Sequence, residues 1–332
     1  MNAWGKDTEY EIVIDDTSGT MFDITQLVPE LKWDTSRVGK AGSIELKVIR
    51  NPEWQSTQYE IKCGYVVRIK LDGVTFCYGR IFSVERTEER EWRVVAYDQL
   101  RYLVEADTYI KENVKASQVI KDAAIEVGLK VGQIADTQFA IPKMNQRGQK
   151  RLDMIYWALD QTLLAKGTTF VFYDNAGELT LKNVADMKID LILGDSSLVY
   201  KYSSNQSIDK DTYNRVKLVR EDKEAGRDKA IVYENSDSIK RWGRLQYYQK
   251  VDDGLNKAQV EEMAKRFLEL RNREKRQFTL DALGYVGVRA GSVLQVTIKE
   301  LNVNQNYLVE ECTHKFSGSE HTMSLELKEY DA

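Results

Sequence analysis

The chain has 332 residues, of which 42% are hydrophobic and 30% charged, with three prolines. That composition excludes a disordered chain, and the length suits about two domains at the usual ~150 residues each. Forty-eight basic against 52 acidic residues give a net charge of -4, which excludes a globally basic binder of nucleic acid or anionic lipid. The opening "MNAWGKDTEYEIVIDD" lacks the basic start and apolar stretch of a secretory leader. Apolar runs such as "TTFVFY" fall far short of the ~20 residues that span a bilayer, so a soluble chain made in the cytosol is expected.

The first hundred residues read as strands. In "SIELKVI" (43 to 49), Ile44, Leu46 and Val48 alternate with Glu45 and Lys47, the period of a sheet with one wet face. "VVRIKLDGVTFCYGRIF" carries Asp72-Gly73, a hairpin signal, because a type I′ turn needs positive φ at both central positions. "QLVPELKWDTSRVGK" (26 to 40) is polar enough to read as a loop that reaches a neighbour. Short strands joined by turn chemistry suggest a small barrel or sandwich.

The middle changes period. Val119, Ile120, Ala123, Ala124 and Val127 fall on one helical face, with Gly128 as the stop. A second helix carries Leu152, Ile155, Tyr156, Leu159 and Leu163 at 3.6-residue spacing and ends at Gly167. "TTFVFYDNAGELTLKNV" then reads as a hairpin around Asp174 to Gly177. The last part returns to strands: "NRVKLVRED" is set to pair with "KAIVYEN", and "GSVLQVTI", "NYLVEECTHKF" and "HTMSLELKE" follow. One helix interrupts them, with Asn256 as N-cap, Gln259 at the capping-box position and a stripe of Val260, Met263, Ala264, Phe267 and Leu268. The expected class is α+β, mainly β: two small barrel-like domains, 1–108 and 201–332, with an α+β module, 109–200, inserted between them.

Chemistry is sparse. Cys63, Cys77 and Cys312 are scattered and odd in number, which favours reduced core thiols over a disulfide or zinc framework. Both histidines sit in "ECTHKFSGSEHTM" (311 to 323); if Phe316 faces His321 across the "SGSE" turn, His314 falls beside Met323. Cys312, His314 and Glu320 are the most that a metal could gather there, short of a convincing site, and hairpin histidines bonded to backbone or solvent are the better reading. No phosphate loop, zinc-protease pair or nucleophile elbow is present. Glu178, in "DNAGE", is the place to look for a glycosidase carboxylate, although a polar hairpin tip explains it without any chemistry and is the better reading. "RNREKRQ" (271 to 277) reads as a solvated helix end, and "RWGRLQYYQK" (241 to 250) as an aromatic packing or subunit surface rather than a base-stacking one.

Three segments carry a resemblance: "DKDTYNRVKLV", "SIKRWGRLQYYQKV" and "VEECTHKFSGSEHTMSLEL". With "AYDQLRYL" (96 to 103), "VGKAGSIELKVIR" and "GRIFSVE", they resemble, in order, the XkdQ/YqbQ-type tail proteins of phages and phage-like particles, which are baseplate hub components. The matching positions are Asp98 and Tyr102; Asp211, Tyr213, Asn214 and Val216; Gly243, Leu245 and Gln246; and His314, Phe316, His321 and Met323. Trp242 stands where the pattern has a tyrosine.

The resemblance implies structural or assembly roles for these residues and no catalytic, metal or cofactor site. It further implies a homotrimeric ring that adapts a sixfold tail tube to a threefold spike, with tube, tube-initiator, spike and other baseplate proteins as partners. DNA would pass the lumen without specific binding, past acidic or small polar side chains, since clustered lysines would hold phosphate. The particle would be assembled in the host bacterial cytoplasm and carry the chain in its baseplate, whether it is a phage or a DNA-free bacteriocin. The rival readings are a tail-tip cell-wall hydrolase or glycan-binding protein and a secretion-system spike.

Overall fold

The computed structural model describes residues 10–50, 60–87, 90–195, 197–209, 211–220, 229–251, 256–318 and 320–330. The first part is all strand: β1 (Tyr10–Asp15), β2 (Met21–Asp23), β3 (Glu30–Ser36), β4 (Ser43–Ile49), β5 (Val66–Leu71), β6 (Val74–Arg86) and β7 (Glu91–Tyr97). All neighbours pair antiparallel, in the order β3-β4-β7-β6-β5-β1-β2. The β5–β6 turn has φ 49° at Asp72 and 77° at Gly73, as the Asp-Gly pair requires. Inward residues Ile12, Ile14, Ile44, Leu46, Val67, Ile69 and Val94 form one core.

The middle part comprises β8 (Ala106–Lys115), α1 (Ala116–Val127), β9 (Val131–Ile134), β10 (Ala140–Lys150), α2 (Arg151–Lys166), β11 (Phe170–Asp174) and β12 (Leu179–Asn183). Both helices end as the sequence indicates, on left-handed glycines: Gly128 at φ 70° and Gly167 at φ 72°. On α2 the buried residue is Leu164 rather than Leu163, because the C-terminal turn leaves the module core and joins a separate cluster with Phe267. The β8–β10 ribbon has no period-two apolar signal, since its outer row, including Glu112 and Lys143, faces water.

The last part holds β13 (Lys188–Gly194), β14 (Val199–Ser207), β15 (Arg215–Arg220), β16 (Lys229–Glu234), α3 (Ser236–Trp242), β17 (Gln246–Val251), α4 (Lys257–Arg271), β18 (Lys275–Leu283), β19 (Val293–Ile298), β20 (Val303–Ser317) and β21 (Glu320–Glu329). β14, β18, β21, β20, β19 and β13 surround a second core that includes Phe278, Leu280, Leu294, Tyr307 and Leu325. β15 pairs antiparallel with β16, as the sequence indicates, and parallel with β17; α4 packs on this three-stranded sheet and starts with the Asn256–Gln259 capping box. The basic run 271–277 straddles the end of α4 and the start of β18.

Two expectations are corrected here. Residues 26–40 are not a loop: Leu31, Trp33 and Thr35 of β3 are buried, while Lys32 and Asp34 on its wet face form an ion pair that makes the segment look polar. Cys63 is exposed, and Cys77 and Cys312 alone are core thiols; all three are free.

β3 also joins the two sheet groups. β20 is 15 residues long, and the two stretches of one of its edges pair with different partners: 303–308 with β19 and 311–317 with β3. The handover falls at a bulge at Glu310, where the partner register shifts. Arg37 fixes that bulge: its N–H donates to Glu310 O at 2.9 Å, and its Nε and Nη2 reach the Glu310 carboxylate at 2.8 and 3.0 Å. One hydrogen-bonded path therefore runs from β14 through β20 and β3 to β2.

Candidate functional site

The histidine hairpin lies on this seam. His314 pairs with Met323 and Phe316 with His321 across the β20–β21 turn, the register set by the short "SGSE" connection. On its other side His314 opposes Trp33 of β3 and stacks on its ring, centroids 5.0 Å apart. His321 stacks on Phe316 at 4.1 Å, and its ring occupies the space a Cβ on Gly284 would need, at 2.2 Å.

His314 Nδ1 and His321 Nε2 are 2.9 Å apart, so one donates to the other; His314 Nε2 meets Val288 O at 2.8 Å, and Cys312 Sγ lies 3.2 Å from it. Because Val288 O can only accept, His314 carries its proton on Nε2 and takes that of His321 on Nδ1. Both rings are neutral: burial pushes His314 down to about 4, and burial with the neighbouring imidazole pushes His321 down to about 3. Both nitrogens of His314 and Nε2 of His321 thus bond backbone and each other rather than solvent. Among the described residues no three histidine, cysteine or carboxylate side chains gather as metal ligands.

The second constellation joins all three parts of the chain. Asp98 caps the short 3-10 turn Gln99–Val104 through Leu100 N at 2.9 Å and accepts from Gly42 N at 2.8 Å. Gln99 donates from N and Nε2 to Asp174 Oδ2 at 3.3 and 3.0 Å. Arg289 donates from Nη1 to Asp174 O at 3.0 Å and lies 3.8 Å over the Tyr173 ring. A cleft of about 630 Å³ opens beside Asp98 and Gln99, walled by Arg68, Tyr78, Tyr102 and Lys130. Tyr102 also packs on Phe82, centroids 5.7 Å apart. Glu178 is an exposed hairpin-tip residue paired with Lys130 at 2.5 Å.

A third set organises the three-stranded sheet. Asn214 is fully buried: Nδ2 donates to Gly243 O at 2.7 Å, Oδ1 accepts from Leu245 N at 2.8 Å, its N–H reaches Leu245 O at 3.0 Å and its carbonyl takes Asn235 N at 2.9 Å. Gly243, at φ 77° and ψ -178°, makes the α3–β17 corner that Asn214 reads. Asp211 pairs with Lys275 at 2.6 Å, which holds its carboxyl below the usual range, and Gln246 Oε1 accepts from Arg215 Nε at 3.0 Å. Val216 is in the core with Phe267; Tyr213 packs on Phe267 and Tyr247, which stack on each other at 4.1 Å.

The motif residues therefore fall into three separate places: the seam, the Asp98 junction and the Asn214 corner. Sequence reasoning missed Trp33, Gly284, Asp174 and Arg289. They lie 37 to 281 positions from the residues they serve, and no local pattern marks such partners.

A family model described as YQBQ-like matches residues 31–328, and the chain belongs to that family. The uncharacterized protein YqbQ of Bacillus subtilis (strain 168) is 30% identical over 291 residues, covering 86% of this chain and 87% of that one. The phage-like element PBSX protein XkdQ of the same strain is 29% identical over 290 residues, covering 86% and 88%. The crystal structure of the tail protein from Neisseria meningitidis MC58 matches with TM-score 0.70 at 16% identity, over 96% of each chain, so the two share a fold.

Proposed function

We propose that this chain is a structural baseplate hub protein of a contractile phage tail or phage-tail-like particle and catalyses no reaction. The observation that carries the reading is that membership of the YqbQ-like family, with XkdQ of a phage-like element as a relative, spans nearly the whole chain. The end-to-end fold match to a tail protein supports it.

Two sheet groups, each with its own core and coupled through β20, suit a ring of three copies that offers six units to a sixfold tube and three to a spike. A closed ring of this kind uses head-to-tail contacts whose rotation closes. The division into 1–108, 109–200 and 201–332 belongs to this reading, with the middle part as an inserted module. So do assembly in the host cytoplasm, tube and spike proteins as neighbours, and passage of DNA through the lumen. The motif residues act as folding locks, as the closed hydrogen-bond set of Asn214 illustrates.

Light scattering after size exclusion tests the ring: a mass of three subunits, unchanged by chelator, is expected. A monomer at every concentration that also fails to join purified tube and spike proteins overturns it. Release of peptidoglycan fragments that is lost in Glu178→Gln would favour the hydrolase reading instead.

A further inference from the structure

The Asp98 junction holds two carboxyl groups and one guanidinium, with Asp98 and Arg289 half-buried and Asp98 at the edge of the cleft. Asp174 is buried, and its carboxyl is already engaged by Gly177 N at 2.6 Å and by Gln99. Arg289 Nε is buried without an acceptor, and among the described residues no carboxylate oxygen lies within ion-pair distance of its guanidinium. Lys130 cannot serve as a second cation, because its side chain turns outward to Glu178 and is 71% exposed. Arg68 is turned to Asp15 and Arg80 to Gly64 O, so two negative charges against one positive leave a partly buried net charge, which is unfavourable. The set is neutral only when one carboxyl keeps a proton. The cleft beside Asp98 brings water to that carboxyl without unfolding.

We propose that Asp98, Asp174 and Arg289 form a proton-operated joint, which holds residues 98–100, 173–177 and 289 together while one carboxyl is protonated and loosens when that proton leaves. The inference stands apart from the hub reading, since it needs only the folded chain. Burial first, and the charge of Asp174 second, push Asp98 up to about 8; burial raises Asp174 as well, and the Arg289 charge moderates both.

A carboxyl raised in the folded state contributes stability that is complete below its ordinary value near 4 and is lost as pH rises toward 8. Across the cleft stand Arg68, Tyr78, Arg80, Tyr97, Tyr102 and Lys130, none of them a carboxyl or an imidazole; closer in, the titratable groups facing the site are the Cys77 thiol from β6 and the Tyr156 phenol from α2. Burial pushes both up and out of that window, Cys77 well above its ordinary value. Arg289 remains charged throughout it.

Hydrogen exchange of the intact chain, corrected for intrinsic rates and read against β5 as reference, tests the joint between pH 6 and 8. One proton released on opening changes the opening constant by up to tenfold per pH unit. Protection of segments 98–104, 170–178 and 285–292 is expected to fall at least about tenfold across that range. In Asp98→Asn, which is neutral at every pH, the fall should shrink below about threefold. If Asp98→Asn does not fold, Asp174→Asn provides the same comparison. A wild-type change under about threefold, or a full change that persists in the Asn variant, overturns the proposal.

Discussion

The β3–β20 seam and the β16-β15-β17 sheet are both small β contacts in one chain, yet they are held in different ways. The seam is part of a continuous backbone ladder, with Trp33, His314, Phe316 and His321 stacked along it and Arg37 fixed on the Glu310 bulge. Among the described residues the three-stranded sheet shares no strand ladder with the large sheet; it rests on α4 through Phe267 and Val260, and Asn214 sets its corner. A ladder is lost only with the whole fold, whereas a docked sheet can open alone. The seam should therefore report global stability and the small sheet local stability.

Trp33→Ala should have the largest effect. It removes a buried aromatic from the joint of both sheet groups, and about 3–5 kcal/mol of stability should be lost in urea unfolding, with both cores failing together. Survival of either group alone would break the comparison. Acid comes next. The histidines bind protons more weakly folded than unfolded, so their contribution is complete above the ordinary value near 6.5 and lost as pH falls to about 4. The loss should be roughly 3 kcal/mol for His314 alone, read from unfolding midpoints, and smaller in His314→Gln.

Asn214→Ala should cost about 2 kcal/mol, because Leu245 N and Gly243 O lose a buried partner. Exchange should rise in β15 to β17 while β20 stays protected; equal loss in both would erase the distinction. The smallest effect is expected from Asn256→Ala, about 1 kcal/mol for the capping box, confined to α4 in the same exchange experiment.

Local chemistry was legible in the sequence where its partners are close. The Asp72-Gly73 turn, the glycine stops of α1 and α2, the Asn256 cap and the His314–Met323 register all need only neighbours within about ten residues to be read. β3 was hidden because its wet face carries Lys32 and Asp34, and because the strand that buries Trp33 lies some 280 positions away. The Asp98 junction was half legible: the motif marked Asp98, but nothing local points to Asp174 or Arg289. α3 escaped notice because at seven residues it is too short to show a period.

The seam also sets an order of events in time. β3 is made well before β20, so the edge that β20 covers waits until residue 317 has been synthesised, and among the described residues no nearer segment pairs there. The first core can gather around β4 to β7 while the chain is still growing, yet Phe316, which belongs to it, is made long after β7. Completion of the N-terminal fold thus waits on a very long loop to close, the kind of step that slows folding and leaves an edge open to wrong partners. A chain truncated before β20 should consequently be produced as a sticky, incomplete sheet rather than as a smaller folded protein.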